Sequence, residues 1–291
     1  MKNIVLFTVA FSSANLFGGD RFGIKLHPKE TEHPLTLGVR IGSGCGFRSE
    51  ALGQNTVYPT SGFVPISDKQ LYGSLGKGIL AGVYADYGIS DHWGVGVGVN
   101  NLFGSEFNYQ TSTNNSDFHN EEHRRGYYTG GLLEFMFETC CDGPLNANAR
   151  FGPALMFRSG YRDEYTETQN GSVSDHSVNE IKNKFGLGFS GSVGANYDVN
   201  DNFSVGLNLG MLMYSGKQES SKITTYEVMG EDKLGTLKTG QKEVNFVDEW
   251  NQSSNSPSNG AVYNPDKPRD ALATKNSYNS LTWSIGVNYR F

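Results

Sequence analysis

Apolar and polar positions alternate strictly along the last segment of the chain, 281–291. Every odd position is apolar or aromatic, and every even one is polar or glycine. A β-strand points successive side chains to opposite faces, so this segment has one apolar face and one polar face. Seven more segments repeat the pattern with the same parity. They are 35–41, 79–89, 93–99, 133–137, 149–157, 185–197 and 203–213. The sequence therefore predicts an all-β chain of eight amphipathic strands.

The connections between these strands alternate in length. Short links are 90–92, 140–146 and 200–202, and long polar links are roughly 44–77, 106–126, 160–184 and 215–277. Such alternation predicts an antiparallel up-and-down arrangement with tight turns at one end and long loops at the other.

The last long link contains two strand-like pieces, 222–228 and 243–247. We expect them to form a hairpin that continues the seventh and eighth strands beyond the main sheet. If the strands cross a membrane and this hairpin crosses with them, the strand count would be ten. Lys, Glu and Asp on both of its faces argue against contact with lipid.

The polar face decides between a soluble β-sandwich and a membrane barrel. The chain has 37 glycines, and many of them, such as Gly94, Gly96 and Gly98, lie on that face. Glycine weakens a strand and gains nothing on a solvated surface, whereas a narrow lumen crowds side chains around its axis. We therefore predict a membrane-spanning antiparallel β-barrel whose apolar face contacts lipid.

Charged residues of both signs share the polar face. Because buried ions need partners, we expect them to form a network that largely plugs the lumen. The predicted members are Arg40, Asp86, Glu134, Glu138, Arg150, Arg158, Asp198 and Arg290.

Aromatic residues bound the short turns, as expected of side chains that sit at a membrane interface. The predicted girdle consists of Tyr87, Trp93, Tyr197, Phe203, Trp283 and Tyr289.

The N-terminus has the features of an export signal: Lys2, an apolar run over 4–11, and small residues at 12–14. We predict a signal peptide over 1–14, with cleavage possible as late as residue 18. Residues 15–34 would form a periplasmic N-terminal segment, and 35–291 the barrel. With a net charge of −6 and no basic stripe, the chain has no feature of a nucleic-acid-binding protein.

Residues that could carry chemistry are few. Two clusters contain the residue types of a catalytic site: Ser116, Asp117 and His119, and Asp175, His176 and Ser177. Both lie in predicted loops, without the rigid support that catalysis needs. We expect no enzyme activity, no cofactor and no metal site.

Cys45 lies at the opposite end of the predicted barrel from Cys140 and Cys141, too far away for a disulfide. Cys140 and Cys141 could form a strained vicinal bridge, cross-link two chains or stay reduced.

The terminal strand ending in Arg290–Phe291, the aromatic-bounded turns and the loop asymmetry together resemble the eight-stranded outer-membrane β-barrel superfamily. This superfamily includes the OmpA transmembrane domain, the opacity-type surface proteins and the OmpW group. The resemblance implies a bacterial outer-membrane location with a periplasmic N-terminus, amid outer-membrane lipid and lipopolysaccharide. It also implies insertion by the barrel assembly machinery, with Trp283, Tyr289 and Phe291 as the signal.

Two functions remain open at this point. The long loops of a plugged barrel could mediate adhesion or another surface interaction with an extracellular ligand or host surface. Alternatively, a thin path past the inward glycines could make a narrow porin-like channel for small solutes or apolar molecules.

Overall fold

The computed structural model of the protein describes residues 35–47, 50–58, 66–113, 118–139, 143–259 and 262–291. The predicted signal peptide and the predicted segment 15–34 lie outside these residues, as do Cys140 and Cys141. The strands are β1 (Leu35–Gly46), β2 (Glu50–Tyr58), β3 (Ser67–Gly73), β4 (Gly78–Gly88), β5 (Trp93–Thr113), β6 (Phe118–Glu138), β7 (Leu145–Gln169), β8 (Ser172–Asn183), β9 (Gly186–Asp198), β10 (Phe203–Val228), β11 (Glu231–Asp232), β12 (Glu243–Val247), β13 (Arg269–Leu272), β14 (Lys275–Ser277) and β15 (Ser280–Arg290).

Among the described residues, helical structure is confined to the connection between β11 and β13. It consists of one α-helical turn at Thr239–Lys242 and two 3-10 turns at Leu234–Thr236 and Pro257–Asn259. Within the described ranges, no helix combines the length and the apolar character needed to cross a membrane.

Eight strands close into a ring in the order β1, β4, β5, β6, β7, β9, β10 and β15, and β15 pairs back with β1. All of these pairings are antiparallel. Because the ring has no free edge, the backbone N–H and C=O groups of its strands find partners without water. The predicted eight-stranded up-and-down barrel is confirmed, and the part of the chain that the structure describes adds no further crossing strand, as a count of ten would require.

The outer face of the ring is predominantly apolar. Val39, Val83, Val97 and Leu207 each expose 54–57% of their surface. Apolar surface costs about 25 cal/mol per Å² to keep in water, so a face of this composition is suited to hydrocarbon instead. Along β5 the band extends from Trp93 to Phe103, which at about 3.4 Å per residue and a tilt of about 40° spans about 26 Å. This span matches the apolar height of a membrane barrel.

The two ends of the barrel differ. At one end, which we name the short-turn end, tight turns join β4 to β5 and β9 to β10. A hydrogen bond of 2.8 Å closes each turn: Ile89 N donates to Trp93 O in the first, and Val199 N donates to Phe203 O in the second. At the other, which we name the extended end, β5, β6, β7 and β10 continue well beyond the apolar band. There β8 takes the place of β9 between β7 and β10.

This continuous wall corrects the expectation of long polar loops over 106–126 and 160–184. The only residues between β7 and β8 are Asn170 and Gly171, which have positive φ angles of 52° and 75°. Two consecutive residues with positive φ form the tight turn that suits a β-hairpin. Both faces of these extensions carry polar residues, so their sequence lacks the apolar alternation that identified the other strands.

Strand β10 also continues through 222–228, as expected, but β12 does not extend the eighth strand of the ring. Instead β12 pairs with the middle of the β10 extension, at Ser220–Lys222.

A β-bulge in β7 exchanges its inner and outer faces. Thr129 pairs with Arg158 and Gly130 with Met156, so Phe157 is an extra residue in the ladder. Even-numbered residues up to Met156 point inward, whereas beyond the bulge the inward residues are Ser159 and Tyr161. Arg158 therefore lies on the outer face, and its assignment to the lumen network is wrong.

Candidate functional site: the barrel interior and its extended wall

A buried ion pair crosses the lumen in the half nearer the short-turn end. Arg150 donates two hydrogen bonds to Asp86, from Nη1 to Oδ1 at 2.9 Å and from Nη2 to Oδ2 at 2.7 Å. A two-pronged contact of this kind is the strongest form of a guanidinium–carboxylate pair. On the neighbouring strand, Gly96 leaves room for the carboxylate, because a Cβ there would collide with Asp86. The alternation of glycine and charge along the inner face thus has a steric basis.

A second ion pair lies near the mouth of the short-turn end. Arg290 Nη2 is 2.6 Å from Asp198 Oδ1, and Asn146 Nδ2 donates to Asp198 Oδ2 at 3.0 Å. Glu138 lies nearby and accepts a hydrogen bond from Asn196.

The other two lumen charges bind neutral groups. Arg40 Nε donates to Asn100 Oδ1 at 3.2 Å, and its guanidinium carbon lies 5.4 Å from the ring centre of Tyr84. Glu134 accepts a hydrogen bond of 2.8 Å from Ser190 Oγ. Of the eight residues proposed as a single network, the structure brings seven into the lumen, but only four of them form ion pairs.

A small cavity of about 50 Å³ lies between these groups and the middle of the barrel. Its lining is mixed: polar groups such as Arg40, Asn100 and Glu134 face apolar ones such as Leu132 and Met156. Ser192 Oγ and Asn208 Oδ1 have no hydrogen-bond partner in the protein. A cavity of this size has room for a few water molecules that could bind both atoms.

An apolar plug fills the lumen on the other side of this cavity, towards the extended end. Tyr278, which precedes β15 by two residues, is fully buried there. Its ring packs against Tyr214 and Tyr128, and its hydroxyl accepts a hydrogen bond of 2.8 Å from Asn183 Nδ2. The plug consists of Leu75, Leu102, Tyr128, Leu132, Met156, Leu212, Tyr214 and Tyr278.

The alternation of apolar and polar positions did not predict this plug, although the chain carries a signal for it. The runs 132–133, 154–157 and 211–214 are apolar at odd and even positions alike. A strand with two apolar faces is buried on both sides. Here one side contacts lipid and the other contacts the plug.

Beyond the plug, the inside of the extended wall holds an acidic pair around one arginine. Arg124 contacts Asp163 through Nε at 3.2 Å and through Nη2 at 3.1 Å, and Nη2 also contacts Glu122 at 2.7 Å. Burial and the hydrogen bond to Asp163 raise the pKa of Glu122 to about 7. Near neutral pH, Glu122 is therefore a site that gains or loses a proton.

The outside of the extended wall carries histidines between carboxylates. His123 Nδ1 is 2.5 Å from Glu106, and His176 Nε2 is 3.2 Å from Glu164. His119 contacts Glu121 at 3.1 Å. His119 and His176 lie on β6 and β8 rather than in loops, which corrects their predicted placement; Ser116 and Asp117 lie outside the described residues. Across the described ranges, no three His, Cys, Asp or Glu side chains converge as a metal site would require.

The predicted girdle residues all lie on the outer face. Tyr87, Trp93, Tyr197, Phe203 and Tyr289 are grouped at the short-turn end, where Phe203 and Tyr289 pack edge to face at 4.9 Å. Trp283 lies nearer the extended end, paired with Ser43 and Leu209. Phe291 packs against Tyr289 at 4.8 Å. Cys45 is exposed and forms no disulfide with any of the described residues.

No protein-family model and no curated protein matches the chain. Among solved structures, it is similar to outer membrane protein OprG from Pseudomonas aeruginosa, with 12% identity, a TM-score of 0.42, and 89% of this chain and 97% of that chain covered. It is similar to Neisserial surface protein A with 11% identity and a TM-score of 0.34, covering 88% and 96% of the two chains. It is also similar to Ail, the attachment invasion locus protein of Yersinia pestis, with 8% identity and a TM-score of 0.28, covering 88% of this chain and 98% of that chain.

All three TM-scores lie below 0.5. A closed ring of eight antiparallel strands, an apolar outer band of membrane height and one extended end define an eight-stranded membrane-spanning β-barrel protein.

Proposed function

We propose that this protein is a bacterial surface protein whose extended wall binds a ligand outside the cell. In this proposal the short-turn end and the N-terminus face the periplasm, and the extended end faces outward, as is usual for barrels with ends of unequal length. The protein acts without a cofactor and not as an enzyme. Its surroundings are outer-membrane lipid and lipopolysaccharide, and its extracellular partner is a host or cell surface.

One observation carries this proposal: the lumen is filled while the wall is extended. The Arg150–Asp86 pair and the plug around Tyr278 occupy the lumen at two levels. Meanwhile β10 continues from Met213 to Val228 beyond the band, which corresponds to a height of about 40 Å at a rise of about 3.4 Å per residue and a moderate tilt. Polar surface presented on a rigid support is the usual setting for binding.

The orientation can be tested with engineered cysteines in a variant whose three native cysteines are replaced by serine. We expect Asn170→Cys to react with a membrane-impermeant maleimide in intact cells, because it lies at the tip of the β7–β8 hairpin. Asn200→Cys, in a short turn, should react only after the outer membrane is permeabilised. The opposite result would reverse the proposed orientation.

The binding function can be tested by shortening the wall. Replacing 163–179 with Asn-Gly joins Arg162 to Glu180, which already pair across the hairpin. We expect a non-adherent strain that displays this variant to lose attachment to epithelial cell monolayers. A control with the same 17 residues in scrambled order separates wall height from surface chemistry. Full attachment by the shortened variant, with surface display unchanged, would contradict the proposal.

The alternative function is a narrow channel, and the cavity beside Arg40 and Asn100 is the observation that favours it. Conductance across a planar bilayer separates the two functions. We expect the purified wild-type protein to show no steady openings, because the plug closes the path. Regular single-channel steps would support the channel instead.

A further inference from the structure

A groove of about 310 Å³ lies on the outer face of the barrel, just beyond the apolar band at the extended end. It forms where β5, β6, β7 and β8 lie side by side. Its lining includes Phe103, Tyr127, Arg125, Arg158, Arg162 and Glu180. Three guanidinium groups thus surround one opening that contains a single carboxylate.

A glycine lies beside the groove, where β7 and β8 approach closely. A Cβ at Gly160 would lie 2.1 Å from the backbone oxygen of Ile181 and 2.6 Å from the hydroxyl of Tyr127. This close approach therefore requires glycine, and the ring of Tyr127 covers it and forms one wall of the groove. A larger residue at this position would collide with the backbone of β8 and displace that wall.

The bulge in β7 supplies the arginine nearest the lipid. If strict alternation continued through Phe157, Arg158 would point into the lumen. Its guanidinium carbon instead lies 5.5 Å from the ring centre of Tyr127, a cation–π arrangement in which Arg158 also hydrogen-bonds the Tyr127 hydroxyl. A guanidinium has five N–H donors, so this one contact does not exhaust them.

The other two arginines face each other across β6 and β7, with their side chains 60% and 52% exposed. Arg125 contacts Glu106 at 3.2 Å, and Arg162 contacts Glu164 at 3.4 Å. Exposed ion pairs of this kind contribute about 0–1 kcal/mol, so a more highly charged anion can displace the carboxylates.

The level of the groove relative to the membrane indicates what kind of anion it meets. Phe103, Phe157 and Phe185 are 56–64% exposed and form the upper edge of the apolar band beside it. The rings of Phe157 and Phe185 lie 6.4 Å apart. Aromatic rings sit at the boundary between hydrocarbon and headgroups, so the arginines lie at the level of the headgroup phosphates.

We propose that this groove binds the phosphate of a membrane lipid headgroup, with the lipid's acyl chains lying along Phe157 and Phe185. Arginine matches phosphate because its planar fork donates two parallel hydrogen bonds. The choice of lipid rests on the proposed orientation: with the extended end outside, the phosphorylated lipid of that leaflet is lipopolysaccharide. The protein as a whole carries a net charge of −6, so this groove is a local exception to its acidity.

The test uses the full chain in nanodiscs of neutral lipid to which diphosphorylated lipid A is added. Native mass spectrometry then measures the lipid A that stays bound. We expect the triple variant Arg125→Gln, Arg158→Gln, Arg162→Gln to bind at least about tenfold more weakly, because each basic group near a membrane surface contributes to anion binding. The triple variant Lys267→Gln, Arg269→Gln, Lys275→Gln changes the charge equally within the connection after β12, and it should bind like the wild type.

A comparison of lipids tests the proposal without any mutation. Wild-type protein should lose binding to a similar extent when the lipid A phosphates are removed enzymatically. Inorganic phosphate should not compete at equal concentration, since it lacks the acyl chains. Equal binding of phosphorylated and phosphate-free lipid, or an arginine variant that folds and binds normally, would overturn the proposal. Competition by inorganic phosphate would identify a free-ion site instead, and the cysteine labelling described above would still decide the orientation separately.

Discussion

The buried pair of Arg150 and Asp86 shows how strongly a single residue constrains this barrel. Each group can stay charged in the lumen only because the other lies within 3 Å of it. Removing one charge leaves the other buried without compensation, which is far more costly than removing both.

Asp86→Asn should therefore destabilise the folded barrel by about 3–5 kcal/mol. The free energy of unfolding in urea, measured in detergent micelles, checks this value. Asp201→Asn, in an exposed turn, should change it little. The double variant Asp86→Leu, Arg150→Leu should be more stable than Asp86→Asn; if it is less stable, the loss does not come from an unpaired arginine.

Glu122 makes stability depend on pH in an unusual direction. Its pKa is raised to about 7 in the folded protein by burial and by its hydrogen bond to Asp163, against an ordinary value of 4.5. Between these two values the folded state binds more protons than the unfolded state, so stability falls as pH rises from about 4.5 to about 7.

Glu122→Gln should flatten this part of the stability curve and raise stability at pH 8. Thermal unfolding measured from pH 5 to pH 8 checks it. Glu219→Gln, on an exposed part of β10, serves as the control. An unchanged pH dependence in Glu122→Gln would show that another group is responsible.

Among the elements, the sequence predicts the strands that touch lipid and fails where no lipid is present. The eight membrane strands follow from the parity of residues such as Val97 and Leu207. The extensions of β6, β7 and β10 carry polar residues on both faces, so no apolar period marks them. The bulge at Phe157 shifts the parity of β7 by one residue, and this shift moves Arg158 to the outside.

The interior was predictable only in part. The pairing of Arg150 with Asp86 and of Arg290 with Asp198 agrees with the balance of charges along the inner face. Which arginine meets which carboxylate depends on barrel tilt and stagger, and no single strand contains that information. Tyr278 fills the lumen from a connection rather than from a ring strand, so strand periodicity could not reveal it.

Val97→Arg tests the lipid contact of a membrane strand. We expect a loss of about 2–4 kcal/mol in the free energy of unfolding, because Val97 lies near the middle of the apolar band. Val173→Arg makes the same substitution near the tip of the β7–β8 hairpin, at comparable exposure, and should cost little. Similar losses at both positions would contradict the assignment of the band.

Deletion of Phe291 tests the terminal strand as an assembly signal. We expect less protein in the outer membrane after expression, because the barrel assembly machinery would recognise this strand poorly. Refolding of the purified variant in detergent should remain efficient. Normal insertion in cells would remove Phe291 from the signal.

For the molecule as a whole, the plug separates a filled membrane barrel from the wall above it. Leu75 precedes β4 and Tyr278 precedes β15, and these two strands are the neighbours of β1 in the ring. The two side chains belong to one cluster inside the lumen. The plug residues that line the cavity, which belong to the same cluster, are Tyr128, Leu132, Met156 and Leu212.

The double variant Leu75→Ala, Tyr278→Ala should open a path from the cavity to the extended end. We expect discrete conductance steps in planar bilayers where the wild type is silent. Leu272→Ala, on the exposed β13, serves as the control and should stay silent. A folded double variant without conductance would place the main barrier at the Arg150–Asp86 level instead.

The uninterrupted course of β10, from the short-turn end to Val228, has a mechanical consequence. Hydrogen bonds between strands run perpendicular to the strand direction. A pull on the tip, as from an attached cell in flowing liquid, would load these bonds in shear, so that many share the force at once. The same strand that touches acyl chains would transmit this tension, without any hinge, into the part of the protein anchored in the membrane.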